Sequence, residues 1–235
     1  MLCDLAMFFL FIILGLLPSF AWLIFFLRED VHSEPKKMIA RVFMVGALAA
    51  FFAVGFQFLL KNILQSFQIN EYHPISFSLF GFIEEILKFL AAYLVVRKSK
   101  FFDEPIDAMI YMITAALGFA MVENLALMLS IKVLSEAFGI IILRFVGATL
   151  LHALSSALVG YYWAKGLLEI RNCLPAGDLP KGEKLEIAKG IILATLLHTI
   201  FNYLIIISKE VIIYPIIFLT IAALFIFWDF EKVKT

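Results

Sequence analysis

Apolar residues run along this chain in long unbroken stretches, not in short alternating ones. Seven stretches can be marked: roughly Leu5–Leu27, Val42–Leu60, Ser76–Val96, Ile106–Leu129, Ala137–Ala164, Gly190–Ser208 and Val211–Trp228. Each approaches or exceeds the roughly 20 residues that a bilayer core demands of a helix. Backbone groups in lipid must pair within the segment, so helices are the expected form. The alternating segments of about ten residues that mark a β-barrel are not found. The pattern predicts an all-α, polytopic membrane helical bundle of about seven transmembrane helices, with residues 1–235 forming a single integral-membrane domain. The first stretch reads as a retained span, because it lacks a basic flank and is too long for a signal peptide. The longest polar segment, about Gly166–Lys189, contains Pro175, Gly177, Pro180 and Gly182 and predicts a loop.

Composition agrees with the pattern. Of 235 residues, 63% are hydrophobic and 16% charged, against about 45–50% and 25% in ordinary soluble domains. That excludes a soluble enzyme and a disordered chain. Nineteen Lys and Arg balance nineteen Asp and Glu, so no basic excess points to nucleic acid. The basic residues are unevenly placed. Fourteen fall in the segments after the first, third, fifth and seventh stretches, and only Lys61, Lys132 and Lys209 fall on the opposite side. The positive-inside rule then puts the N-terminus outside and the C-terminus in the cytoplasm of a multi-pass cell-membrane protein. Cys3 and Cys173 form no disulfide framework and lie on opposite sides in this topology. Trp22, Trp163 and Trp228 suit an interfacial aromatic belt.

The candidate chemistry lies in what interrupts the apolar runs. Glu84, Glu85, Lys88, Glu123, Arg144, His152 and His198 fall inside spans, joined by Asn124 and Asn202. Each charge at that depth costs at least about 2.5–3.5 kcal/mol on insertion scales, so these groups must face one another or water. On a helix, Lys88 falls angularly between Glu84 and Glu85. One ammonium can neutralise one carboxylate, and the other is left with a protonation state to be set by its surroundings. That suits a general base or a proton carrier, and equally a buried structural ion pair. Counted from the outer span ends, Glu84, Glu85, Glu123, Arg144 and His198 lie roughly 10–15 Å deep, with His152 deeper. Convergence of several helices on one level favours a common site. Asn202 and Thr195 flank His198, while Ser155 and Ser156 follow His152 by one turn, either orienting the rings or merely satisfying them. Arg144 is placed to pair with Glu123, a structural role.

These residues also form a known set of motifs. Glu84-Glu85-Ile86-Leu87-Lys88 resembles the E-E-x-x-K motif of PrsW-type intramembrane proteases, within the CAAX prenyl protease and bacteriocin-processing superfamily. Gly118-Phe119-Ala120-Met121-Val122-Glu123-Asn124 is similar to that family's G-F-A-x-x-E-N segment. Arg144, His152 and Gly160 resemble its R…H…G helix, and His198 to Asn202 its H-x-x-x-N. Pro18, Trp22, Asp30, Glu34 and Pro35 resemble its N-terminal signature. Leu127 stands where members often carry Tyr. The resemblance implies a metal-independent, glutamic-type endopeptidase with no cofactor. It further implies a membrane-anchored protein substrate, of which a single-pass anti-sigma factor is the family's best-known case.

On this reading Glu85, or Glu84, takes a proton from the attacking water. Its partner or Glu123 holds that water and returns the proton to the leaving amine. His198 with Asn202, and His152, stabilise the oxyanion, supported by Lys88, Asn124 and Arg144. An outer-half site implies cleavage near the extracytoplasmic end of the substrate. Two other readings remain open. His152, His198 and a glutamate could hold zinc with an open position, although no H-E-x-x-H helix is present. Buried carboxylates and histidines also serve proton- or cation-coupled transporters, although no internal repeat is visible.

Overall fold

The computed structural model describes residues 2–30, 32–173, 181–208 and 212–233. It contains eight helices and, among the described residues, no strand: α1 (Leu2–Phe26), α2 (Lys36–Ser66), α3 (Pro74–Val96), α4 (Pro105–Ser130), α5 (Leu134–Val146), α6 (Ala148–Cys173), α7 (Lys181–Ser208) and α8 (Ile213–Val233). Six runs are long and apolar enough to cross a membrane, with α5 and α6 counted as one run. The remaining long helix, α3, has 23 residues and carries Glu84, Glu85 and Lys88 in its middle. The all-α multi-pass bundle expected from the sequence is therefore found.

Three expectations need correction. The fifth apolar stretch is not one helix. It breaks at Gly147 (φ −112°, ψ −98°) into the 13-residue α5 and the 26-residue α6. A side chain at Gly147 would lie 2.6 Å from the Leu143 carbonyl oxygen, too close for any other residue. The polar segment Gly166–Lys189 is mostly helical, because α6 runs on to Cys173 and α7 begins at Lys181. Its Lys and Glu residues are good helix formers. Pro175, Gly177 and Pro180 lie outside the described residues, as does Lys209. Trp163 is not an interfacial anchor. It is 1% exposed, enclosed by Phe89, Tyr93 and Phe102, and donates to Glu183 Oε1 at 3.2 Å. Trp228, by contrast, is 61% exposed. Only the backbone of Cys3 and Cys173 is described.

Helix α4 is the spine. Every residue from Ile106 to Ala120 is buried, so its apolar residues face all round. Helices α1, α2 and α6 pack directly on it, and α7 joins α6 to α3. Close approach comes from small residues, as expected where lipid offers no hydrophobic drive to association. A Cβ on Gly46 would sit 2.0 Å from the Ala115 carbonyl oxygen, and one on Gly118 equally close to that of Phe43. The two glycines thus form a reciprocal contact of α2 with α4, backbone to backbone.

The end of α4 remote from Glu123 is an acidic corner. Asp107 Oδ2 accepts the Asp103 and Glu104 amides (3.0 and 2.8 Å) and caps α4. Asp30 Oδ2 accepts the Glu34 amide at 3.0 Å, and the Tyr111 hydroxyl donates to Glu34. Asp30 Oδ1 is buried with no partner among the described residues. Burial holds the carboxyls of Asp30 and Glu34 above their ordinary values, with backbone and Tyr111 hydrogen bonds only partly offsetting it. Such groups take up protons on folding. Their penalty therefore grows as pH rises from the ordinary carboxyl value through the raised one, and is relieved on acidification.

Two outcomes follow. Gly46→Ala or Gly118→Ala will destabilise the purified protein by more than the roughly 1–3 kcal/mol typical of overpacking, whereas Gly55→Ala, with open space around it, will not; thermal unfolding in detergent reads this. Asp30→Asn will raise the unfolding temperature at neutral pH and lose that advantage below about pH 4, where the unfolded carboxyl is itself protonated.

Candidate active site

The ion pair on α3 resolves the ambiguity of the E-E-x-x-K spacing. Lys88 Nζ donates to Glu85 Oε1 at 2.6 Å, and both side chains are fully buried. Glu85 is engaged further. Its Oε1 also accepts from Ser155 Oγ of α6 (2.9 Å) and His198 Nδ1 of α7 (3.0 Å), and Ser156 Oγ lies 3.4 Å from Oε2. Oε1 thus carries three donors, and Oε2, on a fully buried side chain, has only the long Ser156 contact.

Glu84 is different. Gln57 Nε2 of α2 donates to its Oε1 at 2.8 Å. Its Oε2 is buried without a hydrogen-bond partner among the described residues. That oxygen lies 3.8 Å from His152 Nδ1 and 3.7 Å from His198 Nε2. The two imidazoles stand edge to face, 5.3 Å between centroids.

The network assigns the ring protons. His198 Nδ1 must donate to the Glu85 carboxylate, so in the neutral ring Nε2 carries a lone pair. Lys88 Nζ donates to His152 Nδ1 at 3.1 Å, so His152 Nε2 donates to Glu123 Oε2 at 3.0 Å. Two acceptors, Glu84 Oε2 and His198 Nε2, therefore face one space with no proton between them, beside a His152 Nδ1 already taken by Lys88. A water, a proton or a cation satisfies that arrangement.

The outer arm of the cluster depends on the helix break. Arg144, in the last turn of α5, donates through Nη2 to Glu123 Oε2 (3.0 Å) and through Nε to Asn124 Oδ1. Asn124 Nδ2 donates to Thr149 Oγ1 at 3.1 Å, just past Gly147. The structure thus joins Glu84, Glu85, Lys88, Glu123, Asn124, Arg144, His152 and His198 in one connected group. Asn202 is half-buried one turn beyond His198 and makes no side-chain hydrogen bond among the described residues. Thr195 bonds to its own helix at Ile191, and the serines serve Glu85 and not the His152 ring, although Ser155 also donates to the His152 carbonyl at 3.2 Å. Gln57 was not singled out in the sequence, yet it is the sole polar residue of the stretch Val42–Leu60.

A family model described as "PrsW family intramembrane metalloprotease" matches residues 34–228. The chain belongs to the PrsW family. It is 27% identical over 227 residues to the protease PrsW of Shouchella clausii, covering 94% of this chain and 95% of that one. It is 30% identical over 152 residues to the protease PrsW of Bacillus subtilis (64% and 66% of the two chains) and 28% over 161 residues to that of Geobacillus kaustophilus (67% of each). No solved structure matches. This PrsW-family chain is accordingly a membrane-embedded peptidase, and the transporter reading gives way.

Removing one partner of a buried pair leaves the other charge uncompensated, at about 3–5 kcal/mol. Glu85→Gln is therefore expected to lower the thermal stability of the purified protein sharply, and pairing it with Lys88→Met to recover most of the loss.

Proposed function

We propose that this PrsW-family chain cleaves membrane-anchored proteins near their extracytoplasmic side, using water held where Glu84, His152 and His198 converge. The observation that carries the reading is the buried, unpartnered Glu84 Oε2 facing two imidazole nitrogens. Of the two adjacent carboxylates, Glu85 is held in the ion pair with Lys88 and Glu84 has the oxygen without a hydrogen-bond partner among the described residues, so Glu84 is the one to accept a proton from water. The hydroxide attacks the scissile carbonyl carbon, and the proton passes to the leaving amine. Glu123, linked to His152, holds that ring in the tautomer needed. The amide of Asn202, uncommitted among the described residues, is available to the oxyanion. The excess of basic residues at the opposite membrane face supports an extracytoplasmic site of cleavage. A single-pass anti-sigma factor is the substrate type implied by the resemblance.

The same atoms fit a metal ion, as the family description suggests. Glu84, His152 and His198 offer one ligand atom each, all within 4.8 Å of one another. Both rings turn their remote nitrogens to carboxylates, as ligating histidines do. Zinc bound there supplies Lewis-acid polarisation of a carbonyl and a more acidic water. Lys88 contacts the His152 nitrogen that would serve as ligand, so that hydrogen bond and the metal are alternatives.

Glu84→Gln is expected to reduce shedding of extracytoplasmic fragments about 10²–10⁴-fold at equal membrane levels, measured by mass spectrometry of cell supernatants. Unchanged shedding would sink the assignment. Metal analysis separates the two forms. Stoichiometric zinc in wild type, lost in His198→Ala, gives the metal-bound form; none in protein purified without chelator gives the glutamate base.

A further inference from the structure

Glu84 is held by a residue outside every family motif described above. Gln57 lies on the outer half of α2, between Phe56 and Phe58, which are both exposed on the lipid side. Its amide nitrogen reaches inward to Glu84 Oε1 at 2.8 Å. Among the described residues no other side chain donates to either oxygen of Glu84.

We propose that Gln57 is a positioning residue of the hydrolytic centre: it occupies one oxygen of Glu84 and so leaves the other turned to the two histidines. This rests on the reading of Glu84 given above. The final torsion of a Glu side chain is broad and roughly two-fold, so nothing intrinsic fixes the carboxylate plane. A donor on one oxygen fixes it. With Gln57 in place, Oε1 points to α2 and Oε2 to His152 and His198. Without it the carboxylate can turn, and both oxygens compete for whatever fills the central space. The position also explains an amide in a run that is otherwise wholly apolar. An uncompensated Gln facing lipid would cost free energy with no return, whereas here it meets a carboxylate that must itself be satisfied. The bland alternative is that Gln57 only joins α2 to α3, as interhelical polar contacts commonly do.

The two roles differ in what they move. Gln57→Met keeps the length and removes the donor; Gln57→Asn keeps the amide and withdraws it by one methylene. With full-length protein in detergent and a membrane-anchored reporter substrate, both variants are expected to lower kcat roughly 10- to 100-fold, the loss of one hydrogen bond to a charged group. KM should stay within about twofold of wild type, because Gln57 is not proposed to touch substrate. In a Glu84→Gln background, Gln57→Met should add no further loss, since its action passes through Glu84. Unchanged kcat with a lowered unfolding temperature would overturn the proposal and leave Gln57 as a helix contact. Should Gln57→Met accumulate poorly, Gln57→Asn, which keeps the polarity, decides alone. Activity retained in Glu84→Gln itself would instead refute the reading of the centre, a result separable from any effect at Gln57.

Discussion

Everything in this molecule answers to the cost of placing charge at membrane depth. The ion pair of Glu85 with Lys88 meets that cost within one helix turn, and the cluster is organised around it. Lys88 reaches past Glu85 to His152, and Glu85 reaches past Lys88 to His198 and two serines. Each histidine thereby has one nitrogen fixed by a carboxylate and the other turned inward. Glu84, adjacent in sequence but pointing elsewhere, is spared. On the proposed reading, the chemistry rests on a division of labour between neighbouring glutamates, one held in the ion pair and one kept open.

That arrangement needs several backbones at close quarters, which the spine helix provides. The reciprocal contact of Gly46 and Gly118 sets α2 against α4, and Gly160 of α6 lies over Met109 with a virtual Cβ only 2.6 Å from its Cα. With α2 and α6 seated on α4, side chains from α2, α3, α4, α6 and α7 span the remaining gaps at hydrogen-bond distance. The break at Gly147 completes the set. It ends α5 where Arg144 meets Glu123 and begins α6 where Thr149 meets Asn124.

Much of this was legible in the sequence, because polar residues in apolar runs stand out and must converge. Helical arithmetic put Lys88 between two carboxylates, and similar depths grouped Glu123, Arg144 and His198. Which carboxylate Lys88 chooses was not legible, because the choice depends on Ser155, Ser156 and His198, all distant in sequence. Gln57 was not legible as a site residue because it stands alone in its apolar run, whereas Asn124 and Asn202 lie beside Glu123 and His198 within a motif. The break at Gly147 was hidden because glycine is common in membrane helices and carries no polarity signal. The extension of α6 and α7 into the segment read as a loop reflects good helix formers on helices already begun, which outweigh polarity. Trp163 shows the limit of the aromatic-belt rule, since its indole N–H finds Glu183 inside the fold.

The Glu85–Lys88 contact spans three residues, which has a consequence for biosynthesis. Membrane helices enter the bilayer largely one after another and then associate. When α3 enters, α6 and α7 have not yet been made, so Ser155, His152 and His198 are absent. The lysine is already present, one turn away on the same helix. The inserting segment can cross with two of its three charges cancelled locally, leaving Glu84 as the net charge. Gln57, on the helix made just before, is the first group able to meet that remaining carboxylate. Side chains that arrive later, from α4 onward, thus find a site already part-assembled.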